Sequence, residues 1–337
     1  MHKHLELTPT AGLTERDWQE LRKGFSSEGM IGGSDAGALL GLDGKYRSPI
    51  TLYYDALGIN VREVKMNEVM MHGKLLEDYI ATCWEHWGGS SESMVDNLQS
   101  GTKVRGCRNY KYIAVNPDYP SLFANIDKLI TKHPSFNRTR GVLEIKTIRR
   151  EVSDQYSIGV PPKYIAQCQQ YMLVYGFPYA ELAYLKDGRE VGVLTFEADK
   201  EMQQSILEAA DAHRERVMMA RAAIESFHER NPGAEFSDAY KIAMEYEPGA
   251  DGLEATESFF SDRHQSLEAR MEIVGPSSML KAAQEYKLAD EMMKEWETKK
   301  MQRRTTIQQF MQKQAANSMK FEDGGYVNWR KIFKVNV

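Results

Sequence analysis

Apolar residues recur every three or four positions in some stretches of this chain and alternate with polar ones in others, so helices and strands are both predicted. Leu13 to Arg22 has a helical period, opened by Thr14 as a cap with Asp17 three residues on. Ile31-Gly32-Gly33-Ser34-Asp35, followed by an apolar run to Gly41, reads as a turn into a helix. The first N–H groups of that helix offer an anion site; the competing reading is that Ser34 or Asp35 only caps it. Ser48 to Gly58 predicts an amphipathic helix that ends at glycine. Gly73 to Trp84 predicts another, with Leu76, Ile80, Cys83, Trp84 and Trp87 on its apolar face. At about 100° per residue, Glu77 lies roughly 20° from Trp84. It is therefore either a carboxylate on the buried side, wanting a cation or a proton, or a rim acid paired with Lys74 or Lys103.

Two strand-like runs occupy the centre. Ser121 to Ile130 contains Asp127, and Gly141-Val142-Leu143-Glu144-Ile145-Lys146-Thr147 contains an acid and a base in a β-branched run. Strand alternation puts Val142, Glu144, Lys146 and Ile148 on one face and Leu143, Ile145 and Thr147 on the other. The segment from Thr131 to Arg140, with Pro134 and Asn137, reads as a turn. The resulting hairpin brings Asp127 beside Glu144. Two carboxylates and a lysine on paired strands make a hard oxygen site for Mg²⁺, with an ammonium to orient a water. The competing reading is a Glu144–Lys146 salt bridge on an exposed strand face.

Pro161 to Gly176 predicts a helix begun by proline and ended by glycine, with Gln167 and Gln170 on similar sides. Ala180 to Lys186 and Glu190 to Phe196 form a hairpin around Asp187-Gly188. The character changes near Lys200. Met202 to Arg230 is one long helix, 234–275 is a loop or short helices, and a further helix runs from Pro276 to about Ala316. In that last helix Met279, Ala282, Tyr286, Ala289, Met293 and Trp296 keep a heptad spacing that fades into Lys300, Arg303 and Arg304. It is short for a coiled coil, so it reads as packing on a neighbour or as an oligomer or partner face. Phe321 to Arg330 reads as a turn and a terminal strand. The division is 1–198, an α/β core, and 199–337, a largely helical region whose terminal strand packs back on that core.

Composition narrows the class. The 337 residues are 42% hydrophobic and 27% charged, as in an ordinary soluble globular chain. No run approaches the roughly 18 apolar residues of a membrane span, and the N-terminus lacks the apolar stretch of a signal peptide. Cys83, Cys107 and Cys168 are widely spaced and fit a reducing, cytoplasmic setting. Net charge is −5, so a nucleic-acid role needs local basic surface. Lys103, Arg105, Arg108 and Lys111, and then Arg138, Arg140, Lys146, Arg149 and Arg150, supply it on both sides of the acidic site.

The spacing Asp127-(x16)-Glu144-x-Lys146 resembles the core of PD-(D/E)xK nucleases. Six motifs make the resemblance specific: Trp18…Arg22, Ile31 to Ala36, Gly73…Glu77, Asn116-Pro117-Asp118 through Asp127, Leu143 to Thr147, and Tyr164 to Met172. In that order they resemble the YqaJ-like viral recombinase family, grouped with the lambda-type phage recombination exonucleases. The resemblance implies a central mixed sheet flanked by helices. It also implies Mg²⁺-dependent degradation of linear double-stranded DNA from 5′ ends, which leaves 3′ single strands. By resemblance, Asp127, Glu144 and the Ile145 carbonyl hold metal and Lys146 orients the attacking water. Glu77 and Asp118 serve a second metal, and Gln167 lines the site. Arg22, Ser34 and Asn125 hold the 5′ phosphate. Two Mg²⁺ ions, replaceable by Mn²⁺, a homo-oligomeric ring, often a trimer, and a single-strand annealing partner are implied in the same way. Alternatives are a structure-specific endonuclease on this core and a non-catalytic DNA-end-binding adaptor.

Overall fold

The computed structural model describes residues 4–59, 67–136, 139–233, 236–265, 275–314, 318–320 and 326–328. The chain divides into two compact units, Met1–Ser266 and Leu267–Val337. Among the described residues, no helix is long and apolar enough to cross a membrane.

The first unit opens with β1 (Glu6–Pro9), α1 (Glu15–Ser27), β2 (Ile31–Gly32), α2 (Gly33–Leu39), α3 (Pro49–Ala56), α4 (Glu68–Glu85) and α5 (Ser91–Ser100). It continues through β3 (Gly106–Asn109), β4 (Tyr112–Val115), β5 (Leu122–Ala124), β6 (Lys128–Lys132) and β7 (Gly141–Ile148). Then come α6 (Arg150–Ser153), α7 (Pro162–Tyr175), β8 (Tyr179–Lys186), β9 (Glu190–Glu197), α8 (Lys200–Arg230), α9 (Phe236–Met244) and α10 (Glu254–Gln265). Local chemistry accounts for several boundaries. Thr14 and Asp17 close a reciprocal capping box on α1, Ser48 caps α3, and α7 starts on proline and ends at Gly176 in the left-handed conformation.

The architecture is the expected mixed α/β one. A five-stranded sheet in the order β3-β6-β7-β8-β9 is antiparallel except for β7 and β8. Those two run parallel because α7 carries the chain back across the sheet between them. A second sheet, in the order β1-β4-β5-β2, has its parallel pair at β5 and β2. Strand β7 is the hinge of the core. Val142 joins Ala166, Met172 and Tyr175 of α7 in one apolar cluster. On the opposite face, Leu143 and Ile145 pack with Ile80, Ala81 and Trp84 of α4.

The run Ser121 to Ile130, read from the sequence as one strand, is two. Strand β5 pairs with β4 and β2, whereas β6 pairs with β3 and β7, so the chain passes from one sheet to the other between Asn125 and Asp127. Apolar periodicity continues through the break because both halves are buried, which is why the pattern conceals it. The break places Asp127 at a strand end, where its side chain is not held in a ladder position.

Helix α8 contributes Ile206 and Ala210 to the cluster that holds Val142 and Ala166, and the first unit extends past residue 198 to Ser266. The segment read as a loop or short helices contains α9 and α10. They pack on α3, where the rings of Tyr54 and Phe259 stack at 4.9 Å. The second unit consists of α11 (Ser277–Lys313) and a two-stranded ribbon, β10 (Ser318–Lys320) with β11 (Tyr326–Asn328). The rest of the expected 321–330 turn and strand lies outside the described residues.

Candidate active site

The β6–β7 register pairs Lys128 with Leu143, so Asp127 stands beside Glu144, as the hairpin reading requires. Asp127 Oδ2 accepts from the Ile145 N–H at 2.9 Å, fixing the carboxylate against the β7 backbone. Glu144 is 0% exposed. Its Oε1 accepts from the Lys146 ammonium and, at 2.7 Å, from the Gln167 amide. Its Oε2 is buried with no hydrogen-bond partner. A buried carboxylate oxygen left bare costs free energy unless something cationic or protic reaches it. Burial, and then the charge of Asp127, pushes the Glu144 carboxyl up to about 8. Burial pulls Lys146 down, but the Glu144 and Asp127 carboxylates outweigh it and hold the ammonium charged.

Glu77 enters from α4. Burial and the Asp127 charge raise it to about 7. Neither lysine of the rim reading forms an ion pair with it: Lys74 pairs with Glu15 at 2.5 Å and Lys103 with Glu85 at 2.5 Å, while the Lys74 charge still acts on the half-buried Glu77. Gly73, one turn earlier, faces β7; a Cβ there would lie 3.8 Å from the Thr147 hydroxyl, an ordinary contact.

The three residues expected to hold a phosphate gather around Trp18. The Arg22 guanidinium carbon lies 4.8 Å from the Trp18 ring centre, and Arg22 donates to the Ser34 hydroxyl at 2.8 Å. The Trp18 indole N–H donates to Asn125 Oδ1 at 3.1 Å. Arg22 Nε is buried and unpaired. Neither Ser34 nor Asp35 caps α2; Asp35 instead accepts from Arg47 at 2.6 Å. Despite the long link through Gly29, Arg22 reaches Ser34 because α1 continues past it to Ser27.

Asp118 stands apart. It is exposed in the turn that enters β5, at the end away from Asp127, and its N–H donates to Asn116 Oδ1 at 3.0 Å. Among the described residues, no contact brings its carboxylate to the other acids. The arrangement is that of a turn residue.

Among the described residues, no three His, Cys, Asp or Glu side chains converge closely enough to hold an ion unaided. The donor chemistry nonetheless fits a hard divalent cation. The bare Glu144 Oε2, the Asp127 carboxylate beside it, and Glu77, coupled to both by charge, are oxygen ligands that a cation would relieve. The Ile145 main chain lies between the first two, where its carbonyl could complete the set.

Residues 17–178 match the YqaJ-like viral recombinase domain, an interval that contains every site residue named above. The chain carries a YqaJ-like viral recombinase domain. With the acid–lysine site it frames, this makes the protein a nuclease, a hydrolase acting on DNA. The chain is 26% identical to the uncharacterized protein YqaJ of Bacillus subtilis over 336 residues, covering 97% of this chain and 86% of that protein. An alkaline exonuclease from Laribacter hongkongensis is similar in structure, at 15% identity and a TM-score of 0.44, over 62% of this chain and 98% of that one. A phage-related exonuclease from Haemophilus somnus is similar at 13% identity and a TM-score of 0.37, over 56% of this chain and 95% of that one.

Within the YqaJ-like domain, sequence reasoning missed two features. Tyr171 is buried one helical turn beyond Gln167, and its phenol oxygen accepts from the Gln167 amide at 3.0 Å. The Gly33 position is filled by its ring, since a Cβ there would come within 2.2 Å of it. The i, i+4 spacing carried that signal. Glu181 is the second: a lone acid in an apolar strand, as Glu144 is. Its oxygens accept from Trp84 at 2.7 Å, Arg105 at 2.5 Å and Thr195 at 2.8 Å, with His133 at 3.1 Å. Gln170, on a similar side of α7 to Gln167, donates instead to the Ile31 and Phe123 carbonyls and ties β2 to β5.

Proposed function

We propose that this nuclease is a Mg²⁺-dependent exonuclease that degrades linear double-stranded DNA in the 5′-to-3′ direction and leaves 3′ single strands. The observation that carries the reading is the buried Glu144, with one oxygen held by Lys146 and Gln167 and the other bare beside Asp127. An adaptor has no use for a desolvated acid pair with one oxygen left bare.

Divalent cations held by Asp127, Glu144 and Glu77 would neutralise charge on the phosphoryl group and acidify a bound water. The chain's own residues do the rest. Lys146 stays protonated between Glu144 and Asp127 and orients the attacking water with its remaining N–H groups. Its ammonium lies 5.4 Å from the Tyr164 ring centre, which limits its excursions. Gln167, braced by Tyr171, fixes the Glu144 rotamer so that the bare oxygen keeps its aim. Arg22 and Ser34 hold the terminal 5′ phosphate, and Trp18 keeps Arg22 in place. Use in recombination implies a homo-oligomeric ring around the duplex and a single-strand annealing protein that takes the 3′ strand.

The test is a time course on end-labelled linear duplex and on closed circular duplex, with Mg²⁺ or EDTA. Mononucleotides are expected from the 5′ ends of the linear substrate only, and none with EDTA. Arg22→Ala is expected to remove any preference for a 5′-phosphate over a 5′-hydroxyl end. Cutting of the circle would mark an endonuclease, and binding without turnover an adaptor.

Metal binding should depend on pH. Protons compete for Glu77, at about 7, and Glu144, at about 8, so the cation displaces them less readily in acid. Mg²⁺ affinity by calorimetry, without DNA, is expected to tighten about tenfold or more from pH 6 to pH 8.5. An affinity constant across that range would remove these carboxylates from the metal site.

A further inference from the structure

Helix α11 presents an apolar stripe that no described residue of its unit covers. Met311 is its one buried residue among those described. Tyr286 is 76% exposed, Trp296 64% and Met293 63%. Ala289, Met292, Met293 and Trp296 line a shallow apolar depression on this helix, flanked by Glu297 and Lys300. An exposed stripe of this size marks a contact surface. Its spacing of three and four, Met279-Ala282-Tyr286-Ala289-Met293-Trp296, is that of a helix-pairing seam.

We propose that this stripe pairs with the same stripe of a second copy of the chain, antiparallel, centred between Lys287 and Leu288. The seam selects both the occupant and the direction. In an antiparallel pair so centred, Tyr286 meets the partner's Ala289, Ala282 meets the partner's Met293, and Met279 meets the partner's Trp296. Two of these three layers set a bulky side chain against an alanine, the volume complement that close packing needs.

A parallel pair would do the reverse. Alanine would face alanine, Lys300 and Arg303 would each face their own copies on the seam, Glu285 would flank the partner's Asp290, and Lys299 the partner's Arg304. Antiparallel, Lys300 and Arg303 project beyond the partner's Ser277, where its helix begins, and keep their water. Many of the neighbouring charges are already matched within the helix, Lys294 with Asp290 at 2.7 Å and Lys299 with Glu295 at 2.6 Å. They ask nothing of a partner. The overlap from Ser277 to Thr298 is about 33 Å long.

An antiparallel pair has two-fold symmetry. It therefore joins two copies of whatever assembly the first unit forms and cannot close within a three-fold ring. The pairing is independent of the chemistry at Glu144, so nuclease activity is not its readout.

The test uses the full chain. Light scattering after gel filtration should show a mass at least twofold higher for the wild type than for Trp296→Glu, a change at an exposed position that leaves the helix intact. Direction is read by disulfide formation. Ala282→Cys and Met293→Cys proteins are expected to cross-link when mixed and not when either is oxidised alone, because like positions lie about 16 Å apart along an antiparallel pair. An unchanged mass for Trp296→Glu overturns the proposal and gives the stripe to another protein. Cross-linking of either single variant with itself overturns the antiparallel arrangement.

Discussion

Glu144→Gln is expected to lower the rate of DNA cleavage about 1000-fold or more, with the far-ultraviolet circular dichroism unchanged. Glutamine keeps the shape and can still accept from Lys146 and Gln167, but it removes the negative charge that the bare Oε2 offers to a cation. Lys146→Ala is expected to act similarly, since among the described residues no other ammonium donates to Glu144. Stability separates this residue from a structural acid. The folded pKa of Glu144, about 8, is above the ordinary 4.5. Protonated Glu144 therefore favours the fold, and that contribution is present at low pH and lost as pH rises through about 8. At pH 8.5 without metal, Glu144→Gln should unfold at a urea concentration equal to or higher than the wild type. A variant that is folded and cuts at the wild-type rate would sink the site assignment.

Glu181→Ala is expected to do the opposite: destabilise the first unit by about 3–5 kcal/mol, the cost of leaving a buried charge without its partner. Glu181 is 0% exposed, and the Arg105 side chain that faces it is 9% exposed. Truncation strands that guanidinium and leaves Trp84, Thr195 and His133 without their shared acceptor. The loss should appear as a lower urea midpoint at every pH between 6 and 8.5. Glu181→Gln should lose less, because an amide still accepts from some of these donors. A Glu181→Ala protein with an unchanged midpoint would show that the network adds nothing to the fold.

These two glutamates lie on neighbouring strands of one sheet and look alike in the sequence, each a single acid in an apolar run. What separates them is supply. Glu181 has a donor for each oxygen, whereas Glu144 has one oxygen that no described residue satisfies. The E-x-K spacing marks one of them, but no local pattern reveals that Arg105 and Trp84 converge on the other. The same limit applies to Asp127. Its pairing with Glu144 was legible from the hairpin, but its release at a break between two sheets was not, because buried residues on both sides keep the apolar run continuous.

By itself the sequence determined the short-range features: the Thr14 and Ser48 caps, the proline start and glycine end of α7, the β8–β9 hairpin and the order of the recombinase motifs. Each depends on residues within a turn or a strand of one another, where spacing converts directly into geometry. Only the fold shows how each of several plausible acids is surrounded. Glu77 is half-buried near the Asp127 charge and Asp118 stayed in its turn, Arg22 reached Ser34 from a helix longer than its motif, and Glu144 was buried with one oxygen unpaired. Burial and long-range donors set a carboxylate's state, and both are sums over residues far apart in the chain.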